Sequence, residues 1–187
     1  MLPGVVSLAV CLGLGQATLQ AAVPELEVES PLDGQKFRQS DALGKFLAIH
    51  FLLKTECPYC LKHVRDYVKS AATQPDLIHL FLKPDEPDEI KAWAAKAQSE
   101  LPDAKLTIYR DPEAKWAKAW QIPFGYAFHG QTVHYPALVL LDPEGNEVFR
   151  HVGKNNSDRF AFPQLLMKIT ELKQQAALIS QHYNIGA

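Results

Sequence analysis

The sequence predicts an α/β fold with a central mixed sheet, helices on both faces and an N-terminal hairpin extension. Apolar runs of strand length alternate with segments of helical periodicity, a late pair of strands flanks a turn, and no repeat or linker divides the chain. The 187 residues, 47% of them hydrophobic, are enough to bury a single core. We therefore expect one domain at residues 23–187, preceded by a segment with a separate role.

Residues 1–22 are predicted to be a signal peptide. The segment has no charged side chain, and its apolar centre from Val5 to Leu14 has the length of a signal-peptide core. Small residues offer cleavage points: Gly15, Ala17, Ala21 and Ala22. No Lys or Arg precedes the apolar run, so an uncleaved membrane anchor is the alternative. We expect an exported protein, periplasmic or secreted, that contacts a membrane only if this segment is retained.

The first half of the domain contains two strands of the predicted sheet. A short hairpin is expected around "LDG", and the continuous apolar run "KFLAIHFLL" predicts a central strand covered on both faces. The next helix places Pro58 in its first turn and repeats apolar residues at helical spacing from Leu61 to Val68. "DLIHLFL" predicts a second buried strand, and "PDEPDEIKAWAAKAQSE" predicts a helix with its acidic residues in the first turn.

The second half is predicted to complete the sheet. "KLTIY" is a short strand, and Asp111 caps "PEAKWAKAW" as a helix. An irregular segment follows, after which "PALVLLD" and "NEVFRHV" form a hairpin around "PEGN", and a terminal helix begins near Phe160. Three tryptophans lie at apolar helix positions and are expected in the core: Trp93, Trp116 and Trp120.

The motif "KTECPYC" directly follows the predicted central strand. Removal of the signal peptide, with Cys11, leaves Cys57 and Cys60 in an exported chain that does not need a disulfide for stability, which favours a reactive pair over a structural one. A helix mouth stabilises a thiolate through its free amides and its dipole. We predict that Cys57 is the exposed attacking thiol and that Cys60 is the resolving thiol.

Charged residues near the pair have opposing effects. Glu56 disfavours a thiolate, whereas Lys54 and His63 favour it. For His63, a proton carrier facing Cys60 and a solvated helix residue beside Lys62 both remain open.

A proline opens the late strand in "VHYPALVLLD". Because proline cannot donate to a ladder, Pro136 fits the first residue of a strand, where a cis Tyr135–Pro136 bond would also fit. The irregular segment from Ile122 to Val133, with Phe124 and Tyr126, is either a rim that binds a partner or a loop packed on its own domain. Together with Tyr135, these two aromatic residues are the candidate substrate-binding residues.

The order of "LDGQKFRQSD", "GKFLAIHFLLKTECPYC", "YRDPEAKWAKAWQI" and "HYPALVLLDPEGNEVFRHVG" resembles the thioredoxin-like superfamily, specifically its exported redoxin branch of TlpA-like oxidoreductases and peroxiredoxins. The resemblance implies a thioredoxin fold and thiol-disulfide exchange with protein substrates and a redox partner. It also implies Cys57 as attacking thiol, Cys60 as resolving thiol and Pro136 as a cis-proline facing them. No cofactor is implied beyond the Cys57–Cys60 disulfide.

Two alternatives follow from related families. Peroxiredoxins place a proline and a threonine where this chain has His50 and Lys54, and an arginine where it has His134 and Tyr135. These departures argue against a thiol peroxidase. Copper chaperones of the SCO family pair two cysteines with a histidine before the late strand, so a copper site of Cys57, Cys60 and His134 is the binding alternative.

Other classes are disfavoured. A structural zinc site needs four ligands, and the mature chain has two cysteines. His129 and His134 are expected to be polar residues of a solvent-exposed loop. The net charge of −2 argues against nucleic-acid binding.

Overall fold

The computed structural model describes residues 25–54, 57–71, 73–101 and 104–184. The predicted signal peptide lies outside the described residues. The strands are β1 (Glu27–Glu29), β2 (Lys36–Arg38), β3 (Phe46–Phe51), β4 (Leu77–Lys83), β5 (Tyr109–Arg110), β6 (Phe124–Phe128), β7 (Gln131–His134), β8 (Ala137–Leu141) and β9 (Glu147–Val152). The helices are α1 (Pro58–Ala71), α2 (Pro87–Ser99), α3 (Lys115–Ala119) and α4 (Phe162–Asn184).

A five-stranded mixed sheet in the order β5-β4-β3-β8-β9 forms the centre of the fold. Strand β3 pairs in parallel with β4 and antiparallel with β8, and β9 pairs antiparallel with β8. All six residues of β3 are buried, as its unbroken apolar run predicts. The predicted central strand and late hairpin are therefore confirmed.

The two faces of β3 contribute to two different cores. Phe46 and Ala48 pack with apolar residues of α1, α2 and α4, whereas Leu47, Ile49 and Phe51 pack with α3 and the β1–β2 hairpin. The alternation follows from the two-residue period of a strand. Helices thus cover both faces, and the β1–β2 pair forms the predicted N-terminal hairpin.

Two segments differ from the sequence prediction. Of the expected strand "KLTIY", only its last residue, Tyr109, pairs with β4, together with the next residue, Arg110. The expected irregular segment is instead the β6–β7 hairpin, whose turn residues His129 and Gly130 both have positive φ. Such turns suit the twist of a hairpin, and histidine enters the left-handed region more readily than most residues.

Asp111 caps a helix one turn later than predicted. Residues Pro112–Ala114 form a short 3-10 segment, and the Asp111 carboxylate accepts hydrogen bonds from the backbone N–H groups of Trp116 and Ala117 at 2.8 and 3.1 Å. The three tryptophans are buried, as predicted. Within the described ranges, no helix is both long and apolar enough to cross a membrane.

Candidate functional site

Cys57 and Cys60 lie at the start of α1, directly beyond the buried end of β3. Pro58 is the first residue of the helix, where a missing N–H costs no hydrogen bond. The backbone N–H of Cys60 lies 3.2 Å from Cys57 Sγ and 3.1 Å from the Cys57 carbonyl oxygen. Cys57 therefore occupies the N-cap position, and its sulfur accepts a hydrogen bond as a capping oxygen would.

The two thiols are free, and they have opposite protonation tendencies. The hydrogen bond from the Cys60 thiol, followed by the Arg159 charge and the Cys60 N–H, lowers the pKa of Cys57 to about 6, against the effect of burial. Burial raises the pKa of Cys60, and its hydrogen bond to Cys57 acts in the same direction. Near neutral pH the pair is a Cys57 thiolate that receives a hydrogen bond from the Cys60 thiol.

Cys57 is buried, with 1% of its surface exposed, which contradicts the prediction of an exposed thiol. Cys57 packs within the apolar core that also contains Cys60 and Val64. Arg159, from the segment between β9 and α4, contacts both thiols, with Nη2 3.1 Å from Cys60 Sγ and 3.5 Å from Cys57 Sγ. A cation this close to the sulfurs stabilises a thiolate.

Arg159 is the principal site residue that the sequence prediction missed. It lies 102 positions after Cys57, and the motif "KNNSDR" has no spacing that points to a thiol. The resemblance to peroxiredoxins implies an arginine immediately before the late strand, where this chain has His134 and Tyr135. The structure places an arginine at the thiols from a different segment.

A chain of three histidines lies beside the pair. His50 Nδ1 is 2.9 Å from His63 Nε2, and His50 Nε2 is 3.2 Å from His79 Nδ1. Each link needs one N–H and one lone pair, so neutral His50 donates to one neighbour and accepts from the other. His63 is buried, which rules out the solvated reading. Burial lowers the pKa of all three imidazoles, to about 3 for His63 and about 4 for His79.

Lys83, at the end of β4, is a buried cation near Cys60. Its Nζ donates to the Leu53 carbonyl at 2.9 Å, lies 3.1 Å from Asp85 Oδ2 and stands 4.8 Å above the Trp93 ring. Its charge favours the thiolate form of Cys60, in opposition to the larger effect of burial on the pKa of that thiol.

Pro136 is buried immediately before β8, and its carbonyl accepts a hydrogen bond from the Gly153 N–H at 2.8 Å. Among the described residues no peptide bond is cis, so the Tyr135–Pro136 bond is trans and the implied cis-proline is wrong. The trans form is the lower in free energy for most X–Pro bonds. In this chain Tyr135 N–H also donates to the Pro123 carbonyl at 2.8 Å.

The three candidate substrate-binding residues have different environments. Phe124 is 71% exposed on β6. Tyr126 and Tyr135 are half-buried, and their ring centroids are 5.3 Å apart. The Tyr126 hydroxyl accepts a hydrogen bond from the Asn156 N–H at 3.0 Å. Substrate binding by these three residues stays a prediction. The Tyr126 hydroxyl also has a structural role, as the acceptor of the Asn156 N–H.

His134 is buried, and not part of an exposed loop as predicted. It ends β7, and its Nδ1 lies 2.7 Å from the Tyr135 carbonyl oxygen. Burial lowers the pKa of His134. Across the described ranges, no group of three or more His, Cys, Asp or Glu side chains is arranged to hold a metal ion. The described residues therefore give no support to a copper site of Cys57, Cys60 and His134.

An open cleft of about 620 Å³ lies between α1 and the start of α4. Its lining includes Tyr59, Lys62, His63, Arg159 and Phe162. Tyr59, between the two cysteines, is 44% exposed. A partner that enters this cleft meets the Arg159 guanidinium next to the sulfurs.

The AhpC/TSA family model matches residues 19–148, a span that includes both cysteines and Pro136. The chain belongs to the AhpC/TSA family. The span ends before Arg159, so the contact between the guanidinium and the sulfurs comes from outside the matched region. Among curated proteins, no relative matches the sequence.

Solved structures similar to this family member include a peroxiredoxin-like protein from Aquifex aeolicus and an exposed lipoprotein thioredoxin. The pneumococcal exposed lipoprotein thioredoxin Etrx1 from Streptococcus pneumoniae is 22% identical, with a TM-score of 0.56, over 79% of this chain and 98% of that one. MTB dsbF is 20% identical, with a TM-score of 0.59, over 79% and 94%. The bacterioferritin comigratory protein of Xanthomonas campestris, described by its alkyl peroxide reduction activity, is 17% identical, with a TM-score of 0.61, over 81% and 92%. These similarities show a thioredoxin-like fold, and with the family they identify a redox protein.

Proposed function

We propose that this AhpC/TSA family member is a thiol-disulfide oxidoreductase that exchanges disulfides with protein partners through Cys57 and Cys60. The observation that carries the proposal is the asymmetry of the pair, with the pKa of Cys57 lowered to about 6 and that of Cys60 raised. The thiolate is the nucleophile in disulfide exchange, so Cys57 reacts first. Cys60 stays protonated and unreactive until the second step. Disulfide exchange of this kind needs no cofactor beyond the two thiols.

The reaction has two steps. In the first, the Cys57 thiolate attacks one sulfur of a partner disulfide, which forms a mixed disulfide and releases a partner thiolate. In the second, Cys60 loses its proton and attacks Cys57 Sγ, which forms the Cys57–Cys60 disulfide and releases the second partner sulfur. The proton from Cys60 neutralises one of the released thiolates. The partner is reduced by two electrons and the pair is oxidised, and the same steps run in reverse from the oxidised pair.

The proposal is tested by mixing reduced protein with a disulfide-bonded model peptide and following the release of peptide thiols. We expect exchange by the parent, no exchange by Cys57→Ser, and accumulation of a covalent mixed disulfide by Cys60→Ser, visible on a non-reducing gel. Equal exchange by the parent and Cys57→Ser would refute the assignment.

We also propose that the protein acts after export, because residues 1–22 have the composition of a signal peptide. Expression of the full chain followed by fractionation and intact mass measurement tests this. Export with cleavage gives a mature chain that begins near residue 23, whereas retention of the segment on membranes supports the anchor.

A thiol peroxidase is the second candidate, because Arg159 contacts both sulfurs. The Cys57 thiolate would attack a peroxide oxygen to give a sulfenic acid and an alcohol or water, and Cys60 would condense with it to give the disulfide and water. The guanidinium would stabilise both the thiolate and the leaving oxyanion. Loss of hydrogen peroxide in the presence of a thiol reductant measures this activity, and a rate no faster than that of a free thiol excludes it.

A further inference from the structure

The segment that carries Arg159 has a dense set of internal hydrogen bonds. We call residues 154–159, "KNNSDR", the arginine loop. The Asn155 side chain accepts hydrogen bonds from the N–H groups of Ser157 and Asp158 at 2.9 and 3.1 Å, and the Asp158 carboxylate accepts from the Lys154 N–H at 2.9 Å. His151 Nε2, on β9, lies 3.3 Å from the same carboxylate. These hydrogen bonds fix the backbone conformation of the arginine loop, whose last residue, Arg159, contacts the thiols.

Two contacts connect this loop to the site. Arg159 Nε donates to the Asn156 carbonyl at 3.0 Å, and the Asn156 N–H donates to the Tyr126 hydroxyl at 3.0 Å. Nη2 of the same guanidinium contacts the two sulfurs. Tyr126 lies on β6, so a residue of the β6–β7 hairpin binds the backbone N–H of the same residue whose carbonyl binds Arg159.

We propose that Tyr126 is a positioning residue that holds Arg159 over the Cys57–Cys60 pair through Asn156. The N–H and the carbonyl of Asn156 belong to successive peptide units that join at its Cα, so a bond that holds the N–H restrains the carbonyl that binds Arg159 Nε. Because the guanidinium is planar, holding Nε restricts the direction of Nη2. The charge and hydrogen bond of Arg159 favour the Cys57 thiolate. Tyr126 thus sets the reactivity of Cys57 without a contact to either sulfur. The inference rests on Cys57 as the attacking thiol of the proposed function.

The variant Tyr126→Phe tests this with the loss of one oxygen atom. The full-length reduced protein is alkylated with iodoacetamide from pH 5 to 9, and tandem mass spectrometry of the peptide that holds both cysteines reports the Cys57 rate. We expect the midpoint of the pH profile to move upward in Tyr126→Phe, because Arg159 occupies its place at the sulfurs for less of the time. Arg159→Gln should move the midpoint further in the same direction, by about one pH unit.

The double variant Tyr126→Phe/Arg159→Gln distinguishes a role of Tyr126 in positioning Arg159 from a general loss of order around the thiols. If Tyr126 acts through Arg159, its hydroxyl has nothing left to position, and the double variant has the midpoint of Arg159→Gln. Tyr109→Phe is the matched control, because it removes a hydroxyl from a tyrosine of β5 that packs in the other core, with Leu47 and Ile49. Its midpoint should equal that of the parent.

Three results would overturn the inference: an unchanged midpoint in Tyr126→Phe, an equal shift in Tyr109→Phe, or a Tyr126→Phe shift of full size in the Arg159→Gln background. The alkylation readout needs no partner. A failure of disulfide exchange would therefore refute the proposed function and leave the positioning result intact.

Discussion

Cys60 lowers the pKa of Cys57 more than any other residue does, through its thiol hydrogen bond. We predict that Cys60→Ala raises the alkylation midpoint of Cys57 above its parent value near pH 6, because the strongest donor to the thiolate is lost. Cys60→Ser keeps a hydroxyl donor at the same position, so its midpoint should lie between those of the parent and Cys60→Ala. Equal midpoints in the alanine and serine variants would show that the hydrogen bond is not the cause.

Arg159 acts on the same thiolate by charge, so it should also influence the reduction potential. A cation at the sulfurs stabilises the reduced, thiolate form of the pair and makes the disulfide a stronger oxidant. We predict that Arg159→Gln makes the reduction potential of the Cys57–Cys60 pair more negative. The change is about 30 mV for each tenfold change in the equilibrium constant between the dithiol and disulfide forms. Equilibration with glutathione buffers, quantified by intact mass, measures it. An unchanged or more positive potential would contradict the assigned role of the guanidinium.

Gly153, between β9 and the arginine loop, lies where there is no room for a larger side chain. A Cβ at this position would lie 2.1 Å from the Asp158 carbonyl oxygen and 3.0 Å from Pro136 Cγ. We predict that Gly153→Ala lowers the free energy of unfolding by about 1–3 kcal/mol, as overpacking does. Urea unfolding of the reduced protein measures the loss. A stability equal to that of the parent would show that the loop can move away without cost.

The predictability of each element depends on whether its signal is local. Strand β3 and helix α1 have their own patterns, an unbroken apolar run and a helical period, and both were predicted from them. The β6–β7 hairpin was not predicted, although its "HG" turn is a local signal that sequence reasoning could have used.

The site residues show the same contrast. Cys57 and Cys60 form a motif within four residues, so the sequence reveals them. Arg159 reaches them from a separate loop, and His50, His63 and His79 meet only because β3, α1 and β4 pack together. His50 in the middle of an apolar strand is a polar residue that needs a partner, but no spacing rule identifies that partner.

The buried histidine chain couples the stability of the whole domain to pH. In the unfolded chain a histidine has a pKa of about 6.5, whereas folding lowers the pKa of His63 to about 3 and that of His79 to about 4. At pH values between the folded-state and unfolded-state pKa, the unfolded chain binds more protons than the folded one, so the free energy of unfolding rises with pH. The contribution is complete above about pH 6.5 and is lost as the pH falls toward the folded values.

We predict that the free energy of unfolding falls by about 4 kcal/mol between pH 7.5 and 5 from His63 and His79 together, with a further loss from His50. Urea unfolding at several pH values measures the slope. His79→Leu should reduce this slope by the equivalent of about one bound proton. A parent protein with equal stability at pH 5 and 7.5 would exclude the effect.

The complete burial of Cys57 has a kinetic consequence. A thiolate that is 1% exposed reacts only from a minor, opened conformation, so each observed rate is the product of an opening equilibrium and an intrinsic rate. A small reagent and a bulky maleimide would then differ by the ratio of their opening constants as well as by their intrinsic rates. A partner that offers its own carboxylate to Arg159 as it approaches would offset the cost of opening. Selectivity would then be decided before any sulfur reacts.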